Sequence, residues 1–405
     1  VARLAIDGGD PVRTEPFPPW PSFTDDEIAS VADVLRSGQV NYWTGPLGRR
    51  FEELFAQYIG IPHALAVMNG TIALQAALEA LRLSPGDEVI VPARTFVATA
   101  NSVILAGGRP VFADIDLTSQ CVTADTAAAA ITERTRGIIP VHLGGWPAPM
   151  TELGELAASA NLFLLEDCAQ ALGATYDGRL VGSLSDVAAF SFCQDKIITT
   201  GGEGGMMVTS DTELWSRAWS LRDQGKSYDR VMGQESEGWG VAFCWLNVHI
   251  GSNWRMTEMQ SALGISGLSR LDELLSTRRT HAGFLDEAFS TIPGLRVTIP
   301  SEREGHSYYR YYAFVVPEAM RPDWDRDRIA AAINAEGVPC FTGSCPEVYL
   351  EDSFVSHGLA PATRLPNARE LGVTSLMFLV HPTLSPADMD DTAEAVSRVM
   401  RAATR

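Results

Sequence analysis

The chain has 405 residues, 46% hydrophobic and 20% charged, a composition that excludes disorder as its main state. Its net charge of -19, from 31 basic and 50 acidic residues, opposes generic binding to nucleic acid or to an anionic membrane. No uncharged apolar run is long enough for a spanning helix, and the first residues lack the apolar stretch of a signal peptide.

The first 50 residues are rich in Pro, Gly and Trp and predict an irregular entry with one helix, Asp25–Ser37, whose first turn holds three acids. From residue 51 to 265, short apolar runs alternate with helical stretches. The runs are Glu88–Ala93, Pro110–Asp116, Gly137–Leu143, Leu162–Asp167 and Val187–Phe192. The helical stretches are Thr71–Leu83, Ala93–Ala106, Asp125–Ile131 and Met150–Ala160. This alternation predicts an α/β layer with a mostly parallel sheet covered on both faces. From Met256 the pattern changes. Met259, Leu263, Leu268, Leu271, Leu274 and Leu275 predict one long helix or two. Beyond them, an aromatic strand at Tyr308–Val316 and helices at Asp325–Glu336 and Pro386–Met400 predict a smaller α+β domain. The expected division is a large domain with an N-terminal arm over 1–265 and a small C-terminal domain over 266–405. Cys121, Cys168, Cys193, Cys244, Cys340 and Cys345 are scattered, without CxxC or zinc spacing, and read as reduced thiols of a cytoplasmic protein.

Four segments have residue types that carry chemistry. In MNGTIALQAAL, Asn69, Gly70 and Thr71 stand where an apolar run passes into an Ala/Leu-rich helix, a place suited to a phosphate or simply to a capped helix start. In FLLEDCAQALG, Asp167 ends a strand, where a carboxylate can face a protonated ring nitrogen, bind a metal, or only cap a helix. In AFSFCQDKIITTGGEGG, Lys196 follows an apolar strand. Apolar surroundings favour the neutral amine that imine chemistry needs, whereas an exposed loop lysine has no such role. The glycines after it match neither the P-loop nor GxGxxG. In GSNWRMTEMQSALG, Asn253 and Arg255 precede an amphipathic helix. The cluster Tyr308, Tyr309, Tyr311 and Tyr312 reads as a half-buried strand. The seven histidines read as structural, and no metal site is expected.

Together these motifs resemble the DegT/DnrJ/EryC1/StrS family of pyridoxal-phosphate-dependent sugar aminotransferases. SGQVNYWTGP, ALAVMNGTIALQAAL, GDEVIVPARTFVATANSV, PVFADID, PVHLGG, LEDCAQALGA, FSFCQDKIITTGGEGG and GSNWRMTEMQSALG follow in the family's order. The resemblance implies the type I aminotransferase fold: a large domain with a mixed, mostly parallel seven-stranded sheet flanked by helices, and a smaller C-terminal α+β domain. It implies pyridoxal 5'-phosphate as cofactor, with Lys196 at the Schiff-base position and Asp167 at the pyridine nitrogen. Gln170 matches the residue near the ring hydroxyl, and Phe96 the aromatic on the ring face. Gly70, Thr71 and Ser191 match phosphate contacts. Asn253 matches a contact from the neighbouring subunit, which implies a homodimer with a shared active site.

The implied reaction moves an amino group from glutamate or glutamine to a keto sugar, nucleotide-activated, in a ping-pong scheme. Family members with histidine in place of the lysine are dehydratases, so Lys196 points to transamination. The stretch LAIDGGDPVRTEPFPPWP also resembles members that act on inosose-type cyclitol ketones or aminobenzoate precursors. A binding or regulatory protein that keeps the fold is a further alternative, opposed by the joint presence of Lys196, Asp167, Gln170 and Phe96. Trp43, Arg222, Lys226, Arg230 and His381 are candidate substrate contacts. The three basic residues can meet a diphosphate or form a solvated helix end.

Overall fold

A computed structural model describes residues 3–237 and 246–405, so Cys244 lies outside the described residues. In chain order its strands are β1 (His63–Val67), β2 (Glu88–Pro92), β3 (Arg109–Ala113), β4 (Thr135–Ile138), β5 (Phe163–Asp167), β6 (Thr175–Tyr176) and β7 (Arg179–Leu180). They continue with β8 (Val187–Ser191), β9 (Gly205–Thr209), β10 (Leu295–Val297), β11 (Glu304–Gly305), β12 (Tyr311–Val315), β13 (Cys340–Phe341) and β14 (Ser375–Phe378).

Seven strands form the main sheet in the order β1-β9-β8-β5-β4-β2-β3. Strands β8, β5, β4, β2 and β3 are mutually parallel. β9 runs against both its neighbours, so β1 points the same way as the parallel set. The sheet is therefore mixed and mostly parallel, as expected. Every residue of β2 and β9 is buried, as helices on both faces require. The carboxyl ends of β1, β2, β5 and β8 and the start of β9 all open on one edge. Sites of parallel α/β sheets assemble at such an edge.

The second sheet is antiparallel, β10-β12-β14-β13, and a short three-stranded piece pairs β11-β6-β7. One core joins the layers: Leu65, Val91, Leu165 and Met207 of the main sheet belong to the same apolar cluster as Tyr312, Phe314 and Tyr349. The helical run after Met256 is two helices, Glu258–Ser269 and Leu271–Ser290, broken at Arg270. The second carries Leu271, Leu274, Leu275, Leu285 and Phe289 as buried residues.

Several predicted boundaries shift. The helix expected from Ala93 starts at Val97, because Arg94 turns inward and donates from Nη2 to Ser375 Oγ at 3.0 Å. The expected strand at Tyr308 starts at Tyr311. Tyr308 has a positive φ of 47°, and the segment before Tyr311 instead bonds the glycine turn at residues 144–145. The Ser307 amide donates to Gly145 O at 3.0 Å and the Arg310 amide to Gly144 O at 3.1 Å. A Cβ on Gly145 would lie 2.6 Å from Ser307 Oγ, so this close approach needs glycine.

Candidate active site

At the carboxyl edge of the main sheet, a cavity of about 720 Å³ is lined by Gly70, Thr71, Phe96, Asp167, Gln170, Ser191 and Lys196, among others. At one side the helix Gly70–Leu81 begins. Its N-cap Asn69 accepts the Ile72 amide at 2.9 Å, so the amides of Gly70 and Thr71 lie ahead of the capped position, at the positive end of the helix dipole. A Cβ on Gly70 would stand 2.7 Å from Ser191 Cβ, which is why the helix start and the end of β8 meet so closely. Phe96 caps the next helix and is 65% exposed, an aromatic face presented to the cavity rather than to the core.

Asp167 ends β5 and is buried. Thr99 Oγ1 donates to its Oδ2 at 2.8 Å and the Ala169 amide to its Oδ1 at 3.1 Å. Burial raises its pKa, and these donors, with His142 and Lys196, offset this only in part. A cationic N–H at this carboxylate would complete it. Behind it, the Ala148 amide donates to His142 Nδ1 at 2.9 Å, so His142 Nε2 carries the proton and donates to Glu166 Oε2 at 3.0 Å. Glu166 also takes the amides of Gly182 and Leu184 and the Ser185 hydroxyl. His142, Glu166 and Cys168 bring their ligand atoms within 4.8 Å of one another, but the hydrogen bonds of His142 and Glu166 make this a scaffold for β5.

The surroundings of Lys196 differ from the apolar expectation. Its Nζ donates to Tyr309 Oη at 3.2 Å and lies 3.5 Å from Asp195 Oδ1. Burial pulls the amine's pKa down, but Tyr309 and Asp195 outweigh it, and the net shift is upward. The cofactor-free lysine is therefore held as an ammonium. Gln170 accepts the Gly144 amide through Oε1 at 2.7 Å, which fixes its side chain at the cavity wall.

The other sequence candidates lie elsewhere. Asn253 is exposed, outside this cavity, and forms a bridge with Asp223. Arg222 is wholly buried; its Nη1 donates to Glu52 Oε1 at 2.6 Å and to Ala66 O at 3.1 Å, and its guanidinium covers the Tyr42 ring at 4.2 Å. It is a core residue and not a substrate contact. Lys226 Nζ lies 3.1 Å from Asp223 Oδ1 and 4.7 Å from the Trp43 ring centroid. Trp43 is half-buried and stands edge-on to Trp219 at 6.0 Å, away from the cavity. Arg230 is exposed on the helix Tyr228–Glu237, outside the cavity. His381 is buried, shares a hydrogen bond with Thr383 Oγ1 at 2.8 Å and stacks on Trp20. Burial, then Arg278 and Arg310, depress its pKa to about 3, so it stays neutral near pH 7. It lines a neighbouring cavity of about 500 Å³ under the N-terminal arm.

Arg222→Ala removes one partner of a largely buried ion pair and is expected to cost about 3–5 kcal/mol of stability. A lowered Tm with an unchanged KM for the amino donor checks this. Sequence reasoning missed Asp195, Thr99 and Arg310 and took Tyr309 for a strand residue. Only the adjacency of Asp195 to Lys196 was a visible signal.

The edge of a mixed α/β sheet brings a lysine amine, a buried carboxylate and a helix N-terminus to one cavity, a set of groups able to hold an aldehyde, a cationic N–H and a phosphate. The chain belongs to the DegT/DnrJ/EryC1/StrS aminotransferase family, whose model matches residues 21–397. It is a pyridoxal-phosphate-dependent transaminase. A GDP-perosamine synthase of Caulobacter vibrioides is 37% identical over 88% of this chain and 92% of its own length. An L-glutamine:2-deoxy-scyllo-inosose aminotransferase of Streptomyces kanamyceticus is 35% identical over 99% and 97%. The solved structure of an aminotransferase from Psychrobacter cryohalolentis superposes with a TM-score of 0.92, at 46% identity, covering 96% of this chain and all of that one. Five described cysteines, Cys121, Cys168, Cys193, Cys340 and Cys345, are free thiols. Among the described residues no helix is long and apolar enough to cross a membrane.

Proposed function

We propose that this chain transfers an amino group from glutamate or glutamine to a keto sugar carried on a nucleotide, in amino-sugar biosynthesis. The observation that carries this is the shared cavity of Lys196, Asp167 and the capped start of helix Gly70–Leu81. Pyridoxal 5'-phosphate, when bound, supplies an electrophilic aldehyde and a ring that accepts an electron pair.

Lys196 would anchor the aldehyde, Asp167 would hold the ring nitrogen in its protonated form, and Gln170 would meet the ring hydroxyl. Phe96 would cover the ring face. The amides of Gly70 and Thr71 and the hydroxyl of Ser191 would take the phosphate, whose charge suits the helix N-terminus. Once displaced by the donor's amine, Lys196 Nζ would take a proton from the donor's carbon and pass it to the carbon of the former aldehyde, and would carry a proton the other way when the acceptor is aminated. Asn253, exposed and away from its own cavity, fits a contact to a second copy's phosphate, and a homodimer accords with that position. The proposed division places the cofactor domain in 1–265 and the small domain in 266–405, in the cytoplasm.

The nucleotide-linked acceptor accords with the perosamine relative. The inosose aminotransferase, alike over 99% of this chain, favours a second reading in which the acceptor is a cyclitol ketone. Arg222 is buried and Lys226 faces Asp223, so an anionic acceptor must find other cations. Borohydride reduction of the protein loaded with pyridoxal phosphate, followed by mass analysis, is expected to fix the label on Lys196. A label elsewhere defeats the cofactor seat. Consumption of glutamine against nucleotide keto-sugars and inososes then decides the acceptor.

A further inference from the structure

A chain of contacts runs from Lys196 to Arg310 that the scheme above does not use. Lys196 Nζ donates to Tyr309 Oη at 3.2 Å and lies 4.6 Å from the centroid of that ring. Tyr309 Oη in turn donates to Asp195 Oδ2. Arg310 Nη2 donates to the same oxygen at 2.9 Å, and its guanidinium stacks on the Tyr309 ring at 4.4 Å. Two hydrogen bonds to backbone carbonyls hold the ends. The Arg310 amide is bound to Gly144 O at 3.1 Å, and the carbonyl of Lys196 accepts Trp20 Nε1 at 3.0 Å.

Asp195 is 45% exposed as a side chain and is free to be solvated, yet it turns back onto the lysine beside it in sequence. Arg310 braces that turn by binding Oδ2, which leaves Oδ1 toward Nζ; against burial, Lys196, Tyr309 and then Arg310 hold the Asp195 carboxyl below the usual carboxylate range. We propose that Tyr309 and Asp195 are a positioning pair that receives the Lys196 amine when the donor displaces it and holds it, charged or neutral as the reaction requires, within reach of the substrate carbon. This inference rests on Lys196 being the cofactor lysine.

The groups that face Nζ are Asp195, Tyr309, Cys193 and Asp167, with Arg310 behind Asp195. Removing the Asp195 charge or the Tyr309 hydroxyl leaves burial to weaken the ammonium form. The step moves one proton: Nζ takes it from the donor's carbon and releases it to the carbon of the former aldehyde, so the amine ends as it began. Tyr309 and Asp195 hold Nζ through hydrogen bonds and do not touch the carbon.

The test uses the full chain without cofactor. Competitive labelling with a trace of amine-acylating reagent across pH, read by mass spectrometry, gives the midpoint of Lys196 ionisation. Tyr309→Phe and Asp195→Asn are each expected to lower that midpoint by about one unit, a tenfold rise in reactivity at fixed pH below it. Asp195→Glu is expected to restore most of the shift. In the loaded enzyme, kcat is expected to fall roughly 10- to 100-fold with the donor KM held within about twofold. Asn at 195 keeps the size of a half-exposed side chain, and Phe at 309 keeps its ring, so both variants retain the packing. Midpoints that do not move in either variant overturn the proposal, provided that borohydride labels wild-type Lys196. Absence of that wild-type label overturns the cofactor seat itself.

Discussion

Replacing Lys196 by alanine is expected to lower turnover by more than about 10⁴-fold, because one side chain anchors the cofactor and carries the proton. General acid–base transfer alone accounts for roughly 10²–10⁴ in rate, and losing the covalent anchor adds to it. Ala at 196 removes the cation that Asp195 faces at 3.5 Å, but Arg310 still holds that carboxylate at 2.9 Å, so the fold has no reason to fail. Single-turnover assays with the donor, alongside a circular dichroism spectrum matching the wild type, check this. Turnover within tenfold of the wild type would remove the lysine from the chemistry.

The parts of this site legible in the sequence sit on short contiguous segments. A strand end followed by a helix start fixes Asn69 to Thr71 locally, and a strand end fixes Asp167 and Ser191, so the residue types alone point to their places. Most of the sheet was legible for the same reason, since most of its strands carry apolar runs; β4, TRGI, lies earlier than the expected run Gly137–Leu143, and β9, GMMVT, follows a glycine loop and was missed. What stayed hidden depends on partners far along the chain. Arg222 reads as a diphosphate contact or a solvated end of a helix, but Glu52 and Tyr42 draw it into the core. Tyr309 reads as one of an aromatic strand. The left-handed turn at Tyr308, forced by the glycine pair Gly144 and Gly145, aims it at Lys196 instead. An amine's protonation is likewise a long-range property, so an apolar stretch before Lys196 does not reveal the tyrosine that meets it.

Asp167→Asn is expected to separate cofactor capture from turnover. Lys196 still anchors the aldehyde, so reductive trapping persists, while turnover falls by roughly 10²–10⁴-fold once the ring nitrogen loses its carboxylate. The cofactor-free chain answers in the opposite sense. The folded-state pKa of Asp167 lies above its unfolded value, so the folded chain binds the extra proton between the two values. The resulting stability is present below the unfolded pKa and is lost as pH rises through the folded pKa. Above the unfolded pKa the Asp167 carboxyl therefore opposes folding, Lys196 and its hydrogen-bond donors offsetting this only in part, until a further cation sits against it. Asparagine removes this opposition. Its NH2 faces either the Ala169 N–H or the Thr99 O–H, at a cost of about 1 kcal/mol, smaller than that of burying a charge without full compensation. The cofactor-free variant should thus melt no lower than the wild type at pH 7, and the rise in Tm on loading should shrink. A wild-type rise preserved in the variant would mean that Asp167 does not hold a positive charge on the bound ring.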